Sequence, residues 1–423
     1  MIPIFNLAKE FENYSKDLPW GIKWERGRAD SKYEEAVCPI IQAVRSEGDA
    51  ALLRYARELD GLGDQPLCVS EDELDAAAAA MSPEVRRAAE TAIVNIGEFA
   101  KAQLPREYFE EFSPGRKLGW IVRPLSAVGC YIPSGRYPLP STLLMTAVLA
   151  QAAGVPDIRI TSPRPSIEIL GCAHMLGIRE VYRVGGAQAI AALAFGTDSI
   201  RRVDRIVGPG NAYVAAAKKL VAGEVGIDFI AGPTEILILA AGGDPKVIAA
   251  DMLAQAEHDT IASAMLFTTS ESLAQAVSVE LERQLETLPT ADVARQSIDQ
   301  ASMIMIFPDM EKAIQAANTV APEHLSLHDP SLLPKIENAG TVFLGQNSPE
   351  SAGDYAVGPS HVLPTSGVAR LRGGLSAADF VKVIAIQQLS PSALNELAPA
   401  ITTLARAEGL EAHARAVEVR SVR

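Results

Sequence analysis

The chain has 423 residues, 48% of them hydrophobic and 21% charged, with a formal net charge of −14. This length accommodates two or three domains of about 100–200 residues each. The acidic balance excludes nucleic acid or an anionic membrane as the main partner, because both demand a basic surface. The opening, Met1-Ile2-Pro3-Ile4-Phe5, lacks a basic segment followed by an apolar one, so no secretory signal is expected. The longest apolar stretch, Leu143 to Val155, is broken by Gln151 and stops at Pro156, short of the roughly 20 residues of a membrane span. Cys38, Cys68, Cys130 and Cys172 are scattered and form no CxxC pair. They read as reduced thiols of a cytoplasmic enzyme.

In chain order, the first thirty residues, rich in aromatics and charge, read as an arm. Ser31 to Leu104 reads as helical, with apolar residues at helical spacing over Pro39 to Val44 and Ala50 to Leu59. Pro39 either opens or kinks its helix. Ser70-Glu71-Asp72-Glu73 has the form of a capping box, and Ser82-Pro83-Glu84 supplies an N-cap, a proline and an early acid. From Trp120 the period changes. Short β-rich runs (Ile121–Val122, Ala127–Ile132, Ile158–Thr161, Glu180–Val184, Arg205–Val207, Ile227–Ile230, Ile236–Ala240) alternate with helical runs (Ser141–Ala153, Ala187–Ala194, Asn211–Ala222, Pro245–Glu257). That alternation is the signature of a mostly parallel sheet covered by helices. Further strands are expected at Met303–Phe307 and Thr341–Leu344, and helices at Met310–Val320 and Ala377–Gln388, with a helical tail from Pro391.

Turns after such strands expose backbone N–H groups suited to phosphates. Three candidates cluster between Val184 and Glu235: Gly185-Gly186, Gly208-Pro209-Gly210-Asn211 and Gly232-Pro233-Thr234-Glu235. None is a GxGxxG with an acid about twenty positions on, so the standard dinucleotide fingerprint is absent. Gln255 and His258 are i, i+3 neighbours placed to share a cation, although polar pairs at that spacing are usually a solvated face. Glu323-His324 is a pair of adjacent acid–base groups after a helix, and Asp354 is a hard ligand candidate in a non-periodic loop.

Taken together, these segments resemble the histidinol dehydrogenase family over about Ser31 to His413. The phrases that carry the resemblance are Gly-Cys-Tyr-Ile-Pro (129–133), Gly-Gly-Ala-Gln-Ala-Ile (185–190), Asp-Arg-Ile-Val-Gly-Pro-Gly-Asn (204–211), Gly-Ile-Asp-Phe-Ile-Ala-Gly-Pro-Thr-Glu (226–235), Gln-Ala-Glu-His (255–258), Ala-Pro-Glu-His-Leu (321–325) and Glu-Ser-Ala-Gly-Asp-Tyr-Ala (350–356). The segments around His361 and Glu408 to His413 complete it. The resemblance implies one Zn2+ per site, with Mn2+ or Co2+ as substitutes, held by Gln255, His258, Asp354 and His413. It further implies an acid–base pair in Glu323 and His324, and NAD contacts at Tyr131, Gln188 and Asn211. Substrate contacts are implied at Thr234, Gln255, His258, His324, Asp354, Glu408 and His413. The implied reaction is the four-electron oxidation of L-histidinol through L-histidinal to L-histidine. The implied assembly is a homodimer with shared sites, the tail of one chain reaching the other. Where the family usually has Ser in Ala-Gly-Pro-Ser-Glu, this chain has Thr234, which keeps the hydroxyl and adds a methyl group.

The expected architecture is α/β, with two Rossmann-like parallel-sheet domains, both incomplete dinucleotide folds. The arm covers 1–30. A main domain covers 31–127 and 237–370, an inserted NAD-binding domain 128–236, and a helical tail 371–423. Two other readings compete: a relative that oxidises another alcohol such as a sulfonated diol, and a metal-carrying protein without catalysis. Glu408 argues against the first, since an acid suits a cationic substrate and not a sulfonate. The intact Glu323-His324 pair argues against the second.

Overall fold

The computed structural model describes residues 2–7, 31–135, 137–230 and 232–421. The strands are β1 (Ile4–Asn6), β2 (Tyr108–Ser113), β3 (Arg116–Pro124), β4 (Ala127–Tyr131), β5 (Asp157–Thr161), β6 (Val181–Tyr182), β7 (Arg205–Val207), β8 (Gly226–Ile227), β9 (Glu235–Leu239), β10 (Ser263–Thr268), β11 (Met303–Ile306), β12 (His324–Leu327), β13 (Thr341–Leu344) and β14 (Val381–Leu389). The α-helices are α1 (Ser31–Glu47), α2 (Asp49–Asp60), α3 (Glu71–Ala80), α4 (Pro83–Gln103), α5 (Pro140–Ala152), α6 (Ile167–Met175), α7 (Gly186–Phe195), α8 (Ala212–Val221), α9 (Pro245–Ala256), α10 (Glu271–Leu285), α11 (Ala291–Gln300), α12 (Met310–Val320), α13 (Glu350–Tyr355), α14 (Pro391–Ala407) and α15 (Glu411–Ser421). None of them is long and apolar enough to cross a membrane.

Two parallel sheets result, one in the order β6-β5-β4-β7-β8 and one in the order β1-β11-β10-β9-β12-β13. The expected α/β class with parallel sheets therefore holds. The helix starts at Ser70 and Ser82 form as their sequences dictate: Ser70 and Glu73 close a capping box, and Ser82 caps a helix with Pro83 in its first turn. Pro39 lies inside α1.

The packing divides the chain differently from the expected boundaries. In α5 every residue from Thr142 to Ala150 is buried, and in α7 every residue from Ala187 to Ala194. A helix that is apolar all round needs a second apolar layer over it. That layer comes from residues 31–104: α1 and α2 share a core with α7 and α8, while α3 and α4 share one with β4, α5 and α6. The expectation grouped residues 31–127 with 237–370. Instead, 237–370 builds its own cores on the two faces of the six-stranded sheet.

Three further expectations are corrected. The first residues of the presumed arm belong to the core: β1 pairs in parallel with β11, and Ile2 and Leu7 are buried. The rest of the arm lies outside the described residues. The helix expected over Ala377–Gln388 is a short 3-10 turn (Ala377–Phe380) followed by β14, so the segment 371–423 is not wholly helical. β14 pairs antiparallel with β3 along all nine residues, in a three-stranded sheet of order β14-β3-β2. Val381, Val383, Ile384 and Ile386 are β-branched and suit a pleated strand when an edge is available. Finally, the turn at 232–234 leads into β9 and not into a helix, so it offers no helix N-terminus.

Candidate active site

The site forms where β12 enters the six-stranded sheet between β9 and β13, with His324 opposite Ile236 and Thr341 in register. Glu235 anchors the entry. Its buried carboxylate accepts the N–H of Glu323 (3.3 Å) and of Ser366 (3.2 Å). Burial and the neighbouring Glu323 push its carboxyl well above the ordinary range, offset in part by the backbone donors.

Glu323 and His324 are both almost fully buried. Glu323 Oε2 accepts the Thr234 hydroxyl (2.6 Å) and the Glu235 N–H (2.9 Å). Burial raises its carboxyl to about 8 against those two bonds. His324 Nδ1 lies 3.1 Å from the Glu235 carbonyl. A carbonyl only accepts, so the proton sits on Nδ1 and Nε2 is the basic nitrogen. Nε2 is buried and has no hydrogen-bond partner among the described residues. Desolvation pushes the imidazole down to about 3, so the ring is neutral at physiological pH. Such a nitrogen is placed to take a proton from a ligand.

Gln255, His258 and Asp354 come together with Glu350, a residue the sequence reading did not select. His258, Glu350 and Asp354 offer ligand atoms all within 4.8 Å of one another. Asp354 lies 3.8 Å from both His258 Nε2 and His324 Nε2, and Glu350 lies 3.4 Å from His324 Nδ1. Asp354 sits on α13, not in the loop expected for it. Glu350 and Asp354 are four apart on that helix and share a face, a spacing visible in the sequence. His361 supports them: its Nδ1 donates to the Asp354 carbonyl (2.8 Å) and its Nε2 accepts from Thr142 (3.1 Å). A cavity of about 320 Å3 opens beside His324, lined by Phe343, Asp354 and His361.

The donor set fits a divalent cation. Burial drives Asp354 up to about 7 and Glu350 well above the ordinary range. Among the described residues neither has a lysine or arginine as an ion-pair partner. As placed, the Gln255 amide oxygen meets the Glu350 carboxylate, an acceptor against an acceptor. That contact needs a proton or a cation between the two groups. Alternatively the amide turns, so that Nε2 donates to Glu350 and the oxygen accepts the Glu235 N–H at 3.2 Å. Imidazole, amide and carboxylate donors together suit zinc, manganese or cobalt. His413 and Glu408 stay apart: both are exposed on the tail, and no hydrogen bond or ion pair of the described site residues reaches them.

The expected cofactor contacts gather on the five-stranded sheet. The Tyr131 hydroxyl accepts the Gly186 N–H (3.3 Å). Gln188 is buried in the first turn of α7. Asn211 caps α8, its side-chain oxygen accepting from Tyr213 and Val214 (3.1 Å each), which leaves its amide N–H groups for a ligand. The glycine turns are less open to phosphate than expected. Asp60 takes the Gly185 N–H and Asp228 takes the Gly208 N–H.

Fold and site together define an α/β protein with a buried Glu-His pair beside a cluster of groups able to hold a cation. The family model described as histidinol dehydrogenase matches residues 24–421. The chain is 48% identical to a histidinol dehydrogenase of Thermus thermophilus over 92% of this chain and 95% of the relative. It is 45% identical to one from Syntrophotalea carbinolica over 92% of each. The crystal structure of histidinol dehydrogenase from Elizabethkingia anophelis superposes with a TM-score of 0.90 at 36% identity, covering 99% of this chain and 98% of that one. This chain belongs to the histidinol dehydrogenase family. Membership makes it an oxidoreductase acting on a small molecule.

Proposed function

We propose that the chain oxidises L-histidinol through L-histidinal to L-histidine, the last step of histidine biosynthesis, in the cytoplasm and at the expense of two NAD. The observation that carries this reading is the unpartnered basic Nε2 of His324, 3.8 Å from Asp354 and beside Glu323. A divalent ion, zinc first among the candidates, would be held by Gln255, His258 and Asp354 with the partner subunit's His413. It supplies a Lewis-acid anchor that fixes the substrate's orientation. NAD, met by Tyr131, Gln188 and Asn211, supplies the hydride acceptor.

His324 Nε2 takes the hydroxyl proton in the first oxidation. Glu323, held by Thr234 and the Glu235 N–H, then takes a proton from the water that adds to the aldehyde. Thr234 thus holds the base as well as lying at the expected substrate position. Burial of both groups keeps bulk water from the aldehyde stage. The partner subunit's Glu408 would meet the cationic end of the substrate. Exposed apolar residues on the tail and its sheet, Leu404, Leu410, Val419, Val383 and Ile384 among them, support the homodimer this requires.

The test is NADH formation by the metal-loaded protein with L-histidinol, set against a panel of alcohols that includes a sulfonated diol. Two NADH per histidinol, with little from the panel, are expected. Turnover of another alcohol in preference to histidinol would overturn the reading.

A further inference from the structure

Asp60 ends α2, outside the parallel sheet that it serves, and is 9% exposed. One oxygen, Oδ2, accepts both the Gly185 N–H (3.0 Å) and the Gln188 side-chain Nε2 (2.9 Å). Two consequences follow from the chemistry of that carboxylate. First, a group that accepts fixes which way the Gln188 amide points: nitrogen toward Asp60, oxygen away. Gln188 Oε1 is then a buried acceptor with no partner among the described residues, lying over the turn, where a Cβ on Gly186 would sit 2.8 Å from it. An orphaned buried acceptor is costly unless a ligand supplies a donor. Second, the anion position at the N-terminus of α7 is taken by a protein carboxylate. Gly185 N–H goes to Asp60 and Gly186 N–H to the Tyr131 hydroxyl. The Ala187 and Gln188 N–H groups remain, but they belong to buried residues and lie in the field of Asp60. A diphosphate there would face like charge.

We infer that Asp60 is a positioning residue for the cofactor: it presents Gln188 Oε1 to a hydrogen-bond donor of the nucleoside part of NAD, a hydroxyl or an amino group, and keeps the diphosphate off the N-terminus of α7. The inference rests on the reading that Gln188 meets NAD. It reverses the role that a glycine turn before a helix plays in a dinucleotide fold, where the diphosphate occupies that end.

The two roles predict opposite signs. Calorimetric titration of NAD into the metal-loaded, full-length protein reads them directly. If Asp60 orients the acceptor, Asp60→Leu, which removes the acceptor along with the charge, lets the Gln188 amide turn and weakens NAD binding about three- to tenfold, the worth of one hydrogen bond. KM for NAD rises in step, while KM for histidinol stays near wild type, and Asp60→Asn, which keeps an acceptor oxygen and removes only the charge, recovers the loss. If the turn instead cradles phosphate, removing the charge leaves NAD binding unchanged or tighter, and the inference is overturned. Gln188→Leu separates the underlying reading. Unchanged NAD binding in that variant removes Gln188 from the cofactor site altogether. Loss there with no loss in Asp60→Leu removes only the role of Asp60.

Discussion

A single acceptor decides the chemistry of His324. The Glu235 carbonyl 3.1 Å from Nδ1 can take a proton but not give one, so the base at Nε2 is ready without any rearrangement. With its imidazole pushed down to about 3, His324 is neutral from pH 5 to 9 and contributes no inflection to the rate in that range. Glu323 behaves in the opposite sense. Its carboxyl, raised to about 8 by burial, is protonated below that pH and unable to accept a proton from water. As pH rises through 8 the carboxylate form grows, so histidinal oxidation is expected to rise with it, and Glu323→Gln to flatten the profile. General-base groups contribute about 100- to 10,000-fold. Single-turnover measurements of the two half-reactions should therefore show His324→Asn slowing alcohol oxidation by that order. Glu323→Gln should strike mainly the second, hydration-dependent step. Equal losses in both half-reactions for both variants would contradict the division of roles.

At the scale of elements, β9, β12 and the helix α13 hold these groups. Glu235 ties the start of β9 to that of β12 and to the loop at Ser366 through backbone N–H groups. Glu235→Ala leaves those donors buried without an acceptor, at about 1–3 kcal/mol. A lower denaturation midpoint together with weaker turnover is expected, against little loss for Glu235→Gln, which keeps an acceptor oxygen. The proposed cation site draws on the end of α9 and on α13. Chelation should abolish turnover reversibly without changing the helical signal, and His258→Ala should do so irreversibly. Full turnover in a metal-free sample would remove the ion from the mechanism. Much of this was legible in the sequence, because caps and apolar periodicity are local: Ser70, Ser82 and the strand–helix alternation need no partner to be read. The Glu323-His324 pair is different: as a dipeptide it is unremarkable, and only the family resemblance singles it out. What was not legible depends on contacts between distant segments. Val381 to Leu389 has helix-compatible spacing and becomes a strand because β3 offers an edge. Asp60, 125 residues before Gly185, carries no motif at all. Glu350, four residues before Asp354, carries no signal in the sequence, because a carboxylate at that spacing is unremarkable until α13 turns both inward.

At the scale of the whole molecule, the tail lies apart from the described site residues. α14 ends at Ala407, Gly409 takes a left-handed conformation (φ 79°), and α15 begins at Glu411. Glycine tolerates that φ and so lets the chain reverse between two helices. Glu408 and His413 fall on either side of the bend, both exposed, while Gln255, His258 and Asp354 lie around Glu350 in the six-stranded-sheet half. A cation held by those three alone would keep a coordination position for a ligand from elsewhere. The proposed homodimer fills it with the partner subunit's His413, and this has a consequence that separates it from a tail folding back on its own chain. His258→Ala and His413→Ala are each expected to be inactive alone. Mixed under conditions of subunit exchange, each mixed dimer regains one site with every ligand intact and keeps one site with two lost. Activity should return to at most about half of wild type, in proportion to the fraction of mixed dimers measured by a tag on one chain. Metal content should recover with it, which excludes a trivial change in folding. Demonstrated exchange without recovery of either activity or metal would mean that each chain builds its site with its own tail.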